Sequence, residues 1–311
     1  MAGTGLTDIT AGTRQTIGRY FSVVSMVPSS LFVVYVYVLV RSGAWVHGPN
    51  WVAAMDALVR VGAGGAFVLI ALGVALGVVV HPLQFGLVQL LEGYWGTNAV
   101  ARKIRELRVR HHRKRADALE DKDVEGDHEA GRLLAQYPTD PALVMPTQLG
   151  NVLRKYEILA GRQYELSVLA ILPHIALAAR PEDLRYLDDQ RIQLDLAVRM
   201  CFMAVLADVV TVALLCRDGF WLSVSVIPAI LAYVAYRGAV ISAREYGVAM
   251  STLIDLNRFS LYERLHMPMP GTIEEERRAN RRVMQLMEAS STHVSVRYNH
   301  PSTADDSTNP T

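Results

Sequence analysis

The chain has 311 residues, of which 51% are hydrophobic and 20% are charged, and its formal net charge is +1. It is therefore too apolar for an ordinary soluble enzyme and too charged to lie wholly within a bilayer. A net charge this small creates no overall field that would attract nucleic acid, so nucleic acid is not an expected partner. We expect a membrane protein, with the lipid bilayer as its first partner and a substantial water-facing part.

Four apolar stretches are long enough to cross a bilayer. They cover residues 20–40, 61–91, 200–216 and 219–236, and only Asp208 interrupts the third. A membrane-spanning helix needs roughly 20 mainly apolar residues. The sequence therefore predicts an all-α, polytopic membrane protein with four transmembrane helices and cytosolic helical segments.

The second stretch is too long for a simple span. As one helix it would extend about 46 Å, whereas the hydrocarbon core of a bilayer is about 30 Å thick. Because Pro82 removes a backbone hydrogen bond, we predict that the span ends near residue 81 and that 83–95 form an interfacial helix. Gly73 and Gly77 form a G-x-x-x-G pattern, which allows close helix packing. We interpret them as helix-packing residues and expect this face to mediate assembly of a homo-oligomer.

The basic residues predict the orientation. Eight Lys and Arg residues fall between Arg102 and Arg115, directly after the second span. Such clusters mark the cytoplasmic side of a membrane. We therefore expect both termini to be cytoplasmic, residues 41–60 to lie outside, and the last two spans to form a tight hairpin.

These patterns together predict the organisation of the chain. Its parts are a cytosolic N-terminal segment (1–19), the first two spans with their outer loop and interfacial helix (20–95), a cytosolic helical region (96–198), the hairpin of the last two spans (199–237), cytosolic C-terminal helices (238–289) and a disordered tail (290–311). Thr147 is expected to cap a helix, and an amphipathic helix should run unbroken from about residue 182 into the third span. The fourth span should continue as a helix to near Met267, because Pro268 and Pro270 cannot extend it.

Two further helices are predicted in the polar regions. Thr272 and Glu275 have the spacing of a capping box, and they should begin a last charged helix that ends near residue 288. Residues 166–179 are nearly uncharged but too short to span a membrane. This segment is either buried in the protein or interfacial.

Two stretches resemble motifs of a known family. Residues 145–154 read MPTQLGNVLR and are followed by Glu157, while residues 254–262 read IDLNRFSLY and are followed by P-x-P and three glutamates. These resemble the P-T-x-L-G-N-x-L-R…E and D-L-x-R-x-x-L-Y…P-x-P…E-E stretches of a family of actinobacterial multi-pass integral membrane proteins. The resemblance implies four spans, cytosolic helices and the bacterial plasma (inner) membrane, but no activity. In the second stretch, Asp255 and Arg258 can pair on one helix face, as part of a cytosolic packing motif.

Asp208 is the most unusual position in the predicted spans. It lies ten residues before Asp218 in the hairpin turn, about 15 Å deep, and Pro228 lies ten residues after that turn, at the same depth. Ser29 and Ser30 occupy the middle of the first span, so straight spans would bring these groups together at the midplane. An ionisable residue inside a membrane is a candidate functional site. Alternatively, a protonated Asp208 hydrogen-bonds the serines or a carbonyl freed by Pro228 and fixes helix packing.

No motif in the chain indicates a particular reaction. Nucleophile elbows, phosphate loops, metal-ligand clusters and paired catalytic carboxylates do not stand out, so we predict no catalytic, cofactor-binding or metal-binding residue and do not expect an enzyme. Two function classes remain. We favour a membrane-anchored scaffold or interaction protein with a cytosolic protein partner, and the alternative is a small oligomeric channel or transporter that uses the site around Asp208.

Overall fold

A computed structural model of the chain describes residues 21–44, 48–217, 219–287 and 298–299, without the side chains of 21–23. All regular structure in these ranges is helical, and they contain no β-strand. The predicted all-α class is therefore confirmed. The predicted N-terminal segment 1–19 and most of the predicted tail 290–311 lie outside the described residues.

The described residues form eleven α-helices, numbered in chain order. They are α1 (Val27–Arg41), α2 (Trp51–Val59), α3 (Ala63–Val80), α4 (Gln84–Glu92), α5 (Ala99–Val124), α6 (His128–Leu134), α7 (Gln148–Leu159), α8 (Val168–Ala178), α9 (Pro181–Leu215), α10 (Val226–Arg264) and α11 (Ile273–Met287). A π-helical turn leads into α1, and short 3-10 turns precede α4, α7, α8 and α10. Four helical stretches are long and apolar enough to span a membrane, namely Val24–Arg41, Ala63–Glu92, Pro181–Leu215 and Trp221–Arg264. Their positions agree with the four predicted spans.

The second span ends where Pro82 predicts. Helix α3 stops at Val80, a 3-10 turn occupies His81–Leu83, and α4 follows. The length of α3 is about 27 Å, close to the hydrocarbon thickness of a bilayer. Helix α4 then ends at Gly93, whose φ of 107° is in the left-handed region that favours glycine.

Helices α9 and α10 extend far beyond the membrane. They contain 35 and 39 residues, which corresponds to about 52 and 58 Å. The two helices pack against each other along the chain's longest helical contact. The predicted unbroken passage of both helices from span to polar region is confirmed. We use "platform" for α7, α8, α11 and the parts of α9 and α10 outside the spans (181–198 and 238–264).

The main apolar core lies in the platform. Its buried side chains come from α8, α10 and α11, and include Ile171, Ile175, Ile254, Leu261 and Val283. One face of α8 is thus buried while Leu169 and Leu177 on its other face are exposed. A second cluster joins α7, α9 and α10 to the ends of α3 and α4. The segment 166–179 is therefore neither fully buried nor only interfacial.

The connections on the opposite side of the spans contain structure that the sequence analysis missed. The predicted outer loop includes α2, whose first turn is capped by Asn50 Oδ1 accepting from Ala53 N at 3.0 Å. The rings of Trp51 and Trp221 meet there, with centroids 6.1 Å apart. The hairpin is also less tight than predicted, because a 3-10 turn at Trp221–Ser225 delays the start of α10.

Gly73 and Gly77 pack inside the monomer. A Cβ at Gly73 would lie 2.5 Å from Ser30 Oγ, and one at Gly77 would lie 2.9 Å from the Ser25 carbonyl oxygen. Both glycines therefore allow α3 to approach the first span, as a helix-packing role requires. The expectation that this face mediates self-association is wrong, because the first span of the same chain covers it.

Candidate functional site

The intramembrane polar group is built around Asp208, Tyr35 and Thr211. The Tyr35 hydroxyl and Thr211 Oγ1 form a hydrogen bond of 2.6 Å, and Thr211 Oγ1 donates to the Ala207 carbonyl at 2.7 Å. Asp208 lies close enough to Tyr35 for an electrostatic interaction. Among the residues that the structure describes, Asp208 Oδ1 is buried and has no hydrogen-bond partner. Sequence analysis missed Tyr35 and Thr211, although Thr211 lies one turn from Asp208 on the same helix.

The prediction that Ser29, Ser30 and Pro228 come together with Asp208 at the midplane of the membrane is only partly correct. Ser29 and Ser30 face the glycines of α3, and Ser29 Oγ also lacks a hydrogen-bond partner within the described ranges. Pro228 is buried in the first turn of α10. In the first turn the amide N–H has no helical acceptor, so a proline there does not break the helix. The hydrogen bonds proposed from Asp208 to Ser29, Ser30 or a freed carbonyl are therefore absent for Oδ1 in the described part of the chain.

A buried polar cluster joins α4 to α9 where the spans meet the platform. Gln84 Nε2 donates to the backbone oxygen and Oδ1 of Asp195, at 3.1 and 3.3 Å, and Arg199 Nε donates to Gln84 Oε1 at 2.9 Å. The Arg199 side chain is fully buried. A buried guanidinium needs such partners to offset the cost of leaving water. Sequence analysis missed this cluster, although Asp195 and Arg199 are four residues apart on a helix entering a span.

A groove of about 520 Å³ lies beside this cluster, between α4, α7, α8, α9 and α10. Most of its wall is apolar, and its charged lining residues are Glu92, Glu157, Arg191 and Asp195. The Arg191 guanidinium lies 3.9 Å from Asp195 Oδ2, and Arg154 forms an ion pair of 3.1 Å with Glu157. Burial raises the pKa of Glu157, and the adjacent Arg154 partly opposes this increase. The volume is in the range of small-molecule sites.

The predicted side-chain pair of Asp255 and Arg258 is not formed. Arg258 Nε instead donates to Glu276 Oε1 at 2.8 Å, and its Nη1 donates to the backbone carbonyl of Asp255. Asp255 Oδ1 accepts from Gln163 Nε2 at 3.0 Å. The guanidinium of Arg258 also lies 4.3 Å from the centre of the Tyr164 ring. These contacts join α10 to α11, so the stretch organises platform packing.

The other stretch that carries the family resemblance is also structural. Asn151 Oδ1 accepts from Met145 N at 2.8 Å, and Asn151 Nδ2 donates to the carbonyls of Met145 and Thr147. The predicted cap is confirmed, because Thr147 Oγ1 accepts from Gly150 N at 3.0 Å, and it also donates to the Glu92 carbonyl at 2.9 Å. This stretch thus fixes the start of α7 against the end of α4, next to the groove.

Within the described ranges, no group of three or more His, Cys, Asp or Glu residues is arranged to hold a metal ion. Comparisons with protein-family models, curated proteins and solved structures found no match.

Proposed function

We propose that the chain is a bacterial plasma-membrane scaffold, with both termini cytoplasmic, whose spans hold the platform against the membrane for a cytosolic protein partner. The continuity of α9 and α10 is the observation that carries this proposal. Because the two helices run unbroken from spans into platform, the spans set the position of the platform core. Lys and Arg residues of the cluster 102–115 support a cytoplasmic location for it, and the resemblance of the two motif stretches supports a bacterial, actinobacterial origin.

The platform offers a surface suited to a protein partner. Leu256 and Phe259, three residues apart on α10, are exposed on one face, whereas Leu253 and Leu261 of the same helix are buried. Large apolar side chains exposed on a water-facing helix are typical of protein contact sites. A second copy of the chain is one such partner, so we also propose that the chain forms a homo-oligomer.

The orientation is tested by labelling single cysteines in intact cells. Cys201 is buried and Cys216 is exposed, so Cys216→Ser provides the background for introduced cysteines. A membrane-impermeant maleimide should label Asn50→Cys but label Arg110→Cys only after the cells are opened. Labelling of Arg110→Cys in sealed cells would contradict the proposed orientation.

The scaffold role is tested by photo-crosslinking in native membranes. A photoreactive residue at Leu256 should form a discrete protein adduct, and the same residue at Phe67 on α3 should form none. These positions are matched in exposure, at 67% and 71%, but Phe67 lies on a membrane span. An adduct of twice the chain's mass would identify a second copy as the partner. Equal adduct patterns at both positions, or no protein adduct at Leu256 and Phe259, would reject the platform as an interaction surface.

A second candidate function is ion or proton conduction around Asp208. The buried Oδ1 without a hydrogen-bond partner favours it, because intramembrane carboxylates commonly mark ion pathways. Liposomes containing the chain should then show a pH-dependent flux that Asp208→Asn abolishes and Ser30→Ala preserves. Absence of flux from well-folded protein would reject conduction.

A further inference from the structure

The groove lies at the boundary between hydrocarbon and water. His81 and Pro82, which line it, come directly after the last residue of α3. Since α3 has the length of the hydrocarbon core, these residues lie at the depth of the lipid headgroups. A ligand in the groove can therefore contact both the bilayer and the platform, whichever side of the membrane the platform occupies.

The apolar part of the groove continues to the protein surface. Phe85 on α4 and Leu169 on α8 line the groove and are largely exposed. Val88, Leu153 and Leu172 line it more deeply. Exposed aromatic and aliphatic groups at this depth are stable when lipid, rather than water, covers them. This wall suits the upper part of an acyl chain.

The polar part of the groove carries charges of both signs. Arg191 is only loosely held by Asp195, at 3.9 Å, and 63% of its side chain is exposed, so its guanidinium can contact a phosphate. Glu92 and Glu157 also line the groove and interact electrostatically with each other. By charge count, Arg154 balances Glu157 and Arg191 balances Asp195, which leaves Glu92, whose pKa burial raises to about 7, as the source of a net negative charge above that pH. An anionic headgroup is therefore disfavoured, and a headgroup with a cation is favoured.

We propose that this groove binds a phospholipid whose headgroup carries a primary amine, with the phosphate beside Arg191 and the ammonium group beside Glu92 and Glu157. A primary ammonium group donates three hydrogen bonds, which two carboxylates can accept. A trimethylated ammonium group has the same charge but no N–H donor, so it cannot make these bonds. The site should thus distinguish ethanolamine headgroups from choline headgroups.

The protonation state of Glu157 adds a pH dependence. Burial holds the pKa of Glu157 above its ordinary value, and only the ionised carboxylate pairs with an ammonium group. Burial, with nearby Glu157, also raises the pKa of Glu92, to about 7. Binding should therefore be strongest above about pH 7, weaken as the pH falls through the pKa of Glu92, and weaken further through the pKa of Glu157, which lies above the ordinary carboxyl value of about 4.3. The pairing of Glu157 with Arg154 is lost over the same range.

The test is native mass spectrometry of the full chain, titrated with phosphatidylethanolamine, phosphatidylcholine and phosphatidylglycerol that carry identical acyl chains. Phosphatidylethanolamine should bind about tenfold more tightly than the other two, as expected for hydrogen bonds between charged groups. Glu92→Gln and Glu157→Gln should each reduce this preference, while Arg191→Gln should weaken ethanolamine and choline lipids equally. Circular dichroism would establish that each variant keeps its helices.

Equal binding of the three lipids by the unaltered chain, or tightest binding of phosphatidylglycerol, would overturn the proposal even if the variants failed to fold. Unchanged selectivity in a folded Glu92→Gln, Glu157→Gln double variant would also overturn it. The scaffold proposal is independent of this result, because the crosslink from Leu256 does not require a lipid in the groove.

Discussion

The two halves of α9 and α10 are stabilised in different ways because they lie in different solvents. In the platform, α10 shares a continuous apolar core with α8 and α11, while α9 packs mainly against α10. In the spans, fewer residues are buried. Only 17% of the residues in the most apolar segment of Trp221–Arg264 are buried, and 44% of those in the most apolar segment of α9. Water drives apolar surfaces together, whereas lipid tails are as apolar as the side chains and provide no such drive. Span packing therefore depends on close contacts such as those of Gly73 and Gly77.

Polar groups differ between the two halves as well. In the platform, Tyr262 donates to Asn280 Oδ1 at 2.5 Å and Arg258 pairs with Glu276. In the spans, Asp208 Oδ1 and Ser29 Oγ have no partner in the described part of the chain. Buried polar groups without partners cost stability. Polar groups therefore join the helices of the platform, whereas among the described residues of the spans the Tyr35–Thr211 bond joins two helices and the buried Asp208 Oδ1 and Ser29 Oγ do not.

The largest expected effect is at the boundary between the halves. Arg199→Ala should cost about 3 kcal/mol of unfolding free energy, because it removes a fully buried side chain and leaves Gln84 Oε1 without its donor. Arg191→Ala, on the same helix, should cost less than about 1 kcal/mol because its ion pair is exposed and long. Unfolding by sodium dodecyl sulfate in mixed micelles, followed by circular dichroism, measures both. Equal losses of unfolding free energy in the two variants would show that the cluster of Gln84, Asp195 and Arg199 does not join the spans to the platform.

A second test compares two glycines of α10. A Cβ at Gly247 would overlap the ring of Tyr156 on α7, whereas one at Gly238 would meet nothing within 4 Å. Gly247→Ala should therefore destabilise the platform by roughly 1–3 kcal/mol, and Gly238→Ala should stabilise the helix by up to about 1 kcal/mol. The same denaturation measures both. A neutral Gly247→Ala variant would mean that α7 can move away from α10 without loss.

A smaller effect on stability is expected when the pH is lowered around His112, at the edge of the water-facing half. The buried His112 Nδ1 forms a hydrogen bond of 3.0 Å with the Tyr137 hydroxyl. Burial, with nearby Arg108, lowers the pKa of His112 to about 4. Its neutral form therefore stabilises the fold above the unfolded pKa of about 6.5, and this contribution is lost as the pH falls toward 4. The protection factors of the α6 amides, measured by hydrogen exchange and corrected for its intrinsic pH dependence, should decrease over that range.

The matched control for this experiment is His112→Gln, which keeps a hydrogen-bonding group but does not titrate in the same range. The protection factors of its α6 amides, which are corrected for the intrinsic pH dependence of exchange, should change little between pH 6.5 and pH 4. If the unaltered chain and His112→Gln respond alike to acid, another group must be responsible for the pH dependence.

The smallest effect is expected inside the spans. Asp208→Asn should change the unfolding free energy by less than about 1 kcal/mol, because Oδ1 has no hydrogen bond to lose within the described residues. Denaturation in mixed micelles measures this change, with Thr211→Val as a comparison that removes the bond to Tyr35. A loss of more than about 2 kcal/mol of unfolding free energy for Asp208→Asn would instead show that this residue stabilises helix packing.

Features that depend on neighbouring residues were predictable from the sequence. The break at Pro82, the cap at Thr147 and the end of α10 before Pro268 all agree with the structure. The capping box is present in part, since Glu275 N donates to Thr272 Oγ1 at 3.3 Å and the Glu275 carboxylate accepts from the amide of Gly271 at 2.8 Å. Each of these features depends on groups within one or two helical turns, so composition and spacing were sufficient.

Only the tertiary structure decided which distant groups meet. Arg258 has Asp255 three residues away, yet its side chain pairs with Glu276 on another helix. Gly73 and Gly77 signal close packing in any apolar span, but only the fold assigns them to the first span. The sequence by itself determined the four spans, the helix ends at Pro82 and Pro268 and the cap at Thr147, because hydrophobicity and backbone hydrogen bonding are local. The groove and the Gln84–Asp195–Arg199 cluster required the fold, because their members come from helices far apart in the chain.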